Sequence, residues 1–231
     1  MGRRVLQQVL DSDDLVLAAA VGRSASEALG VDAGVLAGRA RCGVPLSPID
    51  AGFADAQVVI DFALPEGTLA ALPQLEGRAL VTGTTGLSVD QLEELGRYAQ
   101  TGPLLHASNF STGVHVLLAL VRTAAAALPD YDIEIVEAHH SKKVDAPSGT
   151  ALSLAESASR GQSREVVGIH ALRAGGIIGH HEVWIAGQAE QLRLVHSAAS
   201  RDVFAQGAVR AARWVAGRPP GRYAMAQVLG L

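Results

Sequence analysis

The stretch Glu137-Ala-His-His-Ser-Lys-Lys-Val-Asp-Ala-Pro-Ser-Gly-Thr-Ala151 crowds carboxylates, imidazoles and ammonium groups into one short segment. Its pattern is a strand that runs into a polar loop and restarts as a helix. Pro147 and Ser148 mark the helix start, so the amide N–H groups of Gly149 and Thr150 are expected to point out of its first turn. Such a helix start, with its positive dipole end, holds carboxylate or phosphate. Lys143 and a histidine beside it make an anion clamp with two proton donors, the equipment for protonating an anion formed after hydride delivery. The segment therefore suits reduction of an anionic small molecule. Taken singly, His139, His140, Lys143 and Ser148 read more readily as a solvated loop and a helix cap; their concentration is what points to chemistry. Metal binding is disfavoured and none is expected. The doublets His139-His140 and His180-His181 send neighbouring side chains to opposite faces of a strand, and no His-x-x-x-His stands at helical spacing.

The elements that must position this segment can be read from periodicity. Val5, Leu6, Val9 and Leu10 give helical spacing over Arg3 to Leu10, and the apolar run Leu15 to Val21 predicts a buried strand. Val58 to Phe62, Ala79 to Val81 and Leu104 to Ala107 have the texture of parallel strands covered on both faces. Between the last two, Ser88 and Gln91 form a capping box that opens a helix to about Tyr98. Alternating strands and helices predict an α/β, doubly wound, Rossmann-like parallel sheet. After Asn109 a long apolar helix, Thr112 to Leu128, leads into a strand at Asp132 to Ala138. Further strands are expected at Val166 to Leu172, His181 to Ala186 and Gln191 to His196, with a tight turn at Gly187-Gln188. This second part reads as an inserted α+β domain with a mixed sheet. A helix from Ser200 to Ala216, stopped by Gly217 and Pro219-Pro220, rejoins the first. The expected domains are 1–109 with 200–231, and 110–199.

Composition narrows the function classes. A chain of 231 residues, 48% hydrophobic, can bury a large core. Its net charge of -4 and isoelectric point near 6.0 supply no broad basic field, so neither nucleic acid nor an anionic membrane is an expected partner. A small molecule is. Cys42 is the only cysteine, which excludes an internal disulfide and fits a cytoplasmic location. No stretch approaches the roughly 18 apolar residues of a membrane span, and no signal peptide is recognisable.

The string EAHHSKKVDAPSGTA resembles the signature of the 4-hydroxy-tetrahydrodipicolinate (dihydrodipicolinate) reductase family. VVIDFALPEGT, LVTGTTGL, SNFSTGV, LRAGGIIGHHEV and the tail SRDVFAQGAVRAARWVAGRPPGRYAMAQVLGL extend the likeness over essentially the whole chain. The resemblance implies NADPH- or NADH-dependent reduction of 4-hydroxy-tetrahydrodipicolinate to tetrahydrodipicolinate, in the diaminopimelate branch of lysine synthesis. It implies that His139 is the acid-base residue, that Lys143 donates the proton completing reduction, and that His140, Ser148, Gly149 and Thr150 hold the dicarboxylate substrate. It places Gly83, Thr84 and Thr85, with Ala107, Ser108, Asn109 and Phe110, along the nicotinamide end of the cofactor groove, and Phe62 close by. Family members are usually homotetramers built through the second domain's sheet and close over both ligands.

The chain departs from that pattern at its start. Family members open with a strand and a glycine-rich turn ending Gly-Arg-Met-Gly-Arg, whereas Met1-Gly2-Arg3 begins as if inside that turn. The first strand of the sheet is thus expected to be missing, leaving Met1 as the remnant of the cofactor turn. Gly22 stands where an acidic residue usually holds the adenosine ribose, followed by Arg23, which can pair with a 2′-phosphate and so favours NADPH. One alternative is a truncated, non-catalytic remnant that binds dicarboxylate and oligomerises but binds nucleotide poorly. Another, a semialdehyde dehydrogenase of similar architecture, needs a nucleophilic cysteine, and Cys42 has no base near it in sequence.

Overall fold

The computed structural model describes residues 1–165 and 168–231. The chain divides into two compact units, Met1–Phe110 with Phe204–Gly230, and Ser111–Val203 with Leu231. In chain order the first unit contributes α1 (Gly2–Leu10), β1 (Ala20–Gly22), α2 (Ala33–Leu36), β2 (Leu46–Pro48), β3 (Val58–Asp61), α3 (Pro65–Ala71), β4 (Ala79–Thr82), α4 (Val89–Tyr98) and β5 (Pro103–His106). The second unit follows with α5 (Thr112–Ala127), β6 (Asp132–His139), α6 (Gly149–Gln162), β7 (Gly168–Arg173), β8 (His180–Ala186) and β9 (Gln191–Ser197). The chain then continues through α7 (Asp202–Val215), β10 (Gly221–Tyr223) and α8 (Met225–Leu229). Phe110, read from sequence as the start of the second domain, falls in the first unit. Its ring is buried in that unit's core, and a side chain at Gly207 would collide with its carbonyl oxygen at 1.7 Å.

In the first unit, β10-β5-β4-β3 form a four-stranded parallel sheet in that order. Alternation along the strands sends Val59, Leu80 and Leu104 to one face, where Leu72, Leu75, Leu95 and Tyr98 cover them. Ala79, Val81 and Leu105 go to the other, against Ala208, Ala211 and Val215 of α7 and Met225 and Val228 of α8. Helices on both faces make the sheet doubly wound. The capping box of α4 is present, with the Gln91 amide at the Ser88 hydroxyl and the Ser88 amide at the Gln91 side chain.

β1 and β2 pair in parallel but form a separate two-stranded sheet. Among the described residues no strand pairing joins β1 or β2 to the β10-β5-β4-β3 sheet. The expected strand Leu15 to Val21 is seen only as β1, Ala20–Gly22, the part that pairs with β2; an apolar run becomes a strand only where a neighbour offers backbone partners. Val16 is 91% exposed. α1 covers part of the flanking surface, packing Val5 and Val9 with Ala205 and Val209 beside Ile60 and Phe62.

In the second unit the order is β7-β6-β8-β9, with β7 parallel to β6 and the other pairs antiparallel. Ile133, Ile135, Val183 and Ile185 pack against Leu117, Val121 and Ala125 of α5 and Ala151, Leu154 and Ala158 of α6. The two helices lie close because Gly161 has no side chain; a Cβ there would stand 2.5 Å from the Arg122 carbonyl oxygen. This contact anchors the helix whose first turn carries Ser148 as its cap. Residues Gly187–Glu190 connect β8 to β9, closed by the Gly187 amide on the Glu190 carbonyl at 3.0 Å. The expected strand Val166 to Leu172 is seen from Gly168; its first two residues lie outside the described residues. Among the described residues no helix is long and apolar enough to cross a membrane.

Candidate active site

The polar segment of the second unit is organised around one carboxylate. Glu137 is completely buried and lies on the same face of β6 as His139, two residues on. Its Oε2 accepts from His139 Nδ1 at 2.5 Å and Arg173 Nη1 at 2.9 Å, and its Oε1 from Arg173 Nη2 at 2.7 Å and the Ser148 amide at 3.1 Å. Arg173 stands opposite His139 in the β6–β7 register. It also donates to the Asp145 carbonyl at 2.7 Å, bracing the loop before α6. Ser148 caps that helix, accepting from the Ala151 amide at 3.2 Å. Gly149 is exposed with open space around it, and Thr150 follows in the first turn.

Lys143, half-buried on the loop, donates to both carboxylate oxygens of Asp145 at 2.8 Å. His140 accepts the Lys143 amide on its carbonyl at 3.0 Å. Beneath His139 lies His181, its ring edge-on at 5.2 Å and its Nε2 3.4 Å from the Ser148 hydroxyl. The His180-His181 doublet splits as its alternation requires, with His181 buried under the helices and His180 on the other face near Ser197. Gly179 makes room for the catalytic-candidate ring; a Cβ there would stand 3.3 Å from His139 Nε2.

Electrostatics around Glu137 follow from burial and from its ion pair with Arg173. Burial raises the Glu137 carboxyl's pKa, but hydrogen bonds from Arg173, His139 and the Ser148 amide outweigh it and hold the group below its ordinary value. Burial pushes His139 down, and Lys143 and Arg173 add to this, while Glu137 opposes it. His181 is pushed down to about 4, by burial first and then by His139 and His196. It is therefore a neutral ring at ordinary pH.

In the first unit the cofactor candidates gather where doubly wound sheets bind nucleotides, at the carboxyl ends of the strands. Phe62 follows β3, Gly83, Thr84 and Thr85 follow β4, and Ala107, Ser108, Asn109 and Phe110 follow β5. Phe62 meets Phe110 edge-on at 5.6 Å, and Gly83 lets it approach, since a Cβ there would fall 2.3 Å from the Phe62 ring. Arg23 is exposed just after β1. Met1 is the N-cap of α1, whose first turn has no side-chain cap and no acidic residue but carries Arg3 and Arg4.

Sequence reasoning missed the residues that hold these groups in place. Arg173 reaches Glu137 from another strand, which spacing in the sequence does not reveal, and Asp145 pairs with Lys143 two residues before it on the same loop. In the first unit Asp61 is a hub: Thr68, Thr82 and Thr84 hydroxyls lie 2.6, 2.9 and 3.1 Å from its Oδ2, and its Oδ1 accepts the Ala63 amide at 2.8 Å. His106 Nε2 adds a bond to the Thr84 carbonyl at 2.9 Å. The only available signal was the polar residue at the end of each strand, Asp61, Thr82 and His106. Cys42 instead takes part in a turn, with its amide and thiol both directed at Asp32 Oδ1.

Comparison with known proteins places the chain among relatives of known family. The family model described as dihydrodipicolinate reductase, N-terminus, matches residues 1–110, and that described as dihydrodipicolinate reductase, C-terminus, matches residues 113–229. The 4-hydroxy-tetrahydrodipicolinate reductase of Alkalilimnicola ehrlichii is 46% identical over 254 aligned positions, covering all of this chain and 95% of that protein. That of Halorhodospira halophila is 44% identical with the same coverage. Alignments longer than this chain mean that both relatives carry residues it lacks. Among solved structures, a dipicolinate-bound dihydrodipicolinate reductase from Paenisporosarcina sp. TG-14 superimposes with a TM-score of 0.76 at 21% identity, covering 98% of this chain and 94% of that one, a likeness of fold. On these matches along its full length, the chain belongs to the dihydrodipicolinate reductase family.

Proposed function

We propose that this chain reduces 4-hydroxy-tetrahydrodipicolinate to tetrahydrodipicolinate, a step of amino-acid biosynthesis on the diaminopimelate route to lysine, using NADPH or NADH. The observation that carries this reading is the single carboxylate, Glu137, that holds both His139 and the amide at the start of α6. A proton-exchanging ring and a carboxylate-binding helix end are what reduction of a dicarboxylate needs side by side. The overall change adds a hydride and a proton and releases one water. The nicotinamide supplies the hydride. His139 exchanges protons with the substrate through Nε2, since Nδ1 is engaged by Glu137, and Lys143 delivers the proton that completes the reduction. Ser148, Gly149 and Thr150, with His140, take a substrate carboxylate at the positive end of α6.

The loops after β3, β4 and β5, the start of α1 at Met1, and Arg23 are the groups that would hold the nucleotide. Arg23 pairs with a 2′-phosphate in this reading, which favours NADPH while leaving NADH usable. The same reading makes the protein a cytoplasmic homotetramer. Leu172 and Val195, each 53% exposed, stand on the face of the second unit's sheet that its own helices leave bare, the kind of surface on which subunits pair.

Calorimetric titration of NADPH and NADH, with and without pyridine-2,6-dicarboxylate, followed by steady-state reduction assays, tests the proposal. Micromolar nucleotide binding and turnover support it. Dicarboxylate binding with no nucleotide binding and no turnover replaces it with a non-catalytic dicarboxylate-binding protein.

A further inference from the structure

The buried ion pair beneath the substrate pocket does more than fill space. A carboxylate with no exposure is tolerated only when its lone pairs are used, and Glu137 uses them on three different elements: His139 at the end of β6, Arg173 at the end of β7 and the amide of Ser148 at the start of α6. Arg173 balances its charge, so the pair is neutral overall and leaves His139 to titrate by itself. We infer that Glu137 is a positioning residue for His139. With Arg173 as counter-ion it keeps the proton on Nδ1, turns Nε2 towards the substrate, and ties that ring to the carboxylate-binding turn of α6 as one rigid piece.

The inference rests on the reading above, in which His139 exchanges the substrate's protons. Its geometry needs the acceptor on the Nδ1 side alone, because an imidazole with a carboxylate at Nδ1 presents the other nitrogen outward in a defined tautomer. The groups facing His139 are Glu137 on its own strand, Arg173 on β7, Lys143 on the loop and His181 on β8; His180 and His196 act in turn on His181. Of those facing His139 only Glu137 is anionic. Replacing its charge therefore lowers the proton affinity of His139, whereas a residue that merely fills volume leaves it unchanged.

The test measures His139 directly. Carbethoxylation by diethyl pyrocarbonate, quantified at His139 by peptide mass spectrometry across pH, follows the unprotonated ring without requiring activity. In Glu137→Gln the pH of half-maximal reactivity should fall by about one pH unit. The acidic limb of the kcat/KM profile should move with it, and kcat should drop about 100-fold, the lower end of what a positioned proton donor supplies. Glu137→Asp, which keeps the charge, should restore part of both. If the Gln variant folds and His139 titrates as in the parent, Glu137 is only a packing group and the inference is overturned. Should Gln not fold, the shorter carboxylate of the Asp variant must still weaken its hold on Nδ1, and an unchanged titration there overturns the inference equally. Full activity in His139→Gln would instead remove the catalytic reading of His139, while the titration shift would still report whether Glu137 governs the ring.

Discussion

His139, Lys143 and Arg23 carry the predictions that belong to single residues. His139→Gln should lower kcat by about 10²- to 10⁴-fold with little change in thermal midpoint, as read by steady-state kinetics beside circular dichroism. Lys143 donates to both carboxylate oxygens of Asp145, and an exposed pair of this kind contributes up to about 1 kcal/mol. Asp145→Asn removes that competing carboxylate, so pyridine-2,6-dicarboxylate should bind a few-fold more tightly by calorimetry; weaker binding would mean Asp145 orients Lys143 rather than competing with the ligand. Arg23→Glu should raise KM for NADPH and leave KM for NADH nearly unchanged. A parallel rise for both would show that Arg23 does not read the 2′-phosphate.

At the scale of elements, two helix caps with the same chemistry have different expected consequences. Ser88 caps α4 and takes no part in the Glu137 network, while Ser148 caps α6 within it. Either change to Ala should cost about 1 kcal/mol of stability in urea unfolding. Ser88→Ala should leave catalysis intact, and Ser148→Ala should also weaken dicarboxylate binding, because the first turn of α6 loses the hydroxyl that orders it. The capping box of α4 was legible from Ser88 and Gln91 alone, since all its partners are local. The Asp61 hub was not, because its three threonines come from α3, the end of β4 and the loop beyond it.

The whole molecule should lose stability in mild acid. His181 has an unfolded value of 6.5 and is depressed to about 4 in the folded chain. The unfolded chain thus takes up a proton that the folded chain refuses. Its contribution is complete above about pH 6.5 and is lost as pH falls towards 4, amounting to roughly 3 kcal/mol over that window. His139 and His196, both also lowered mainly by burial, act in the same sense, and Glu137 adds a further loss below its ordinary carboxyl range. Urea midpoints measured from pH 7.5 to 4.5 should fall accordingly; a flat profile would mean the buried histidines accept protons without unfolding. The proposed tetramer has its own check. Val195→Glu, on the bare sheet face, should shift sedimentation towards smaller species without unfolding the second unit.

By itself the sequence determined the alternation of strands and helices, the mixed second sheet, the capped start of α6 and the family likeness, since each depends on periodicity, local hydrogen bonding or contiguous motifs. Tertiary structure alone decided what those residues do to one another. Arg173 reaches Glu137 because β7 lies parallel to β6 in a register that sets it opposite His139, and neither hydrophobic period nor spacing encodes a register between strands so far apart. The shortening of Leu15 to Val21 into β1 was decided in the same way, because a strand exists only where another strand completes its hydrogen bonds.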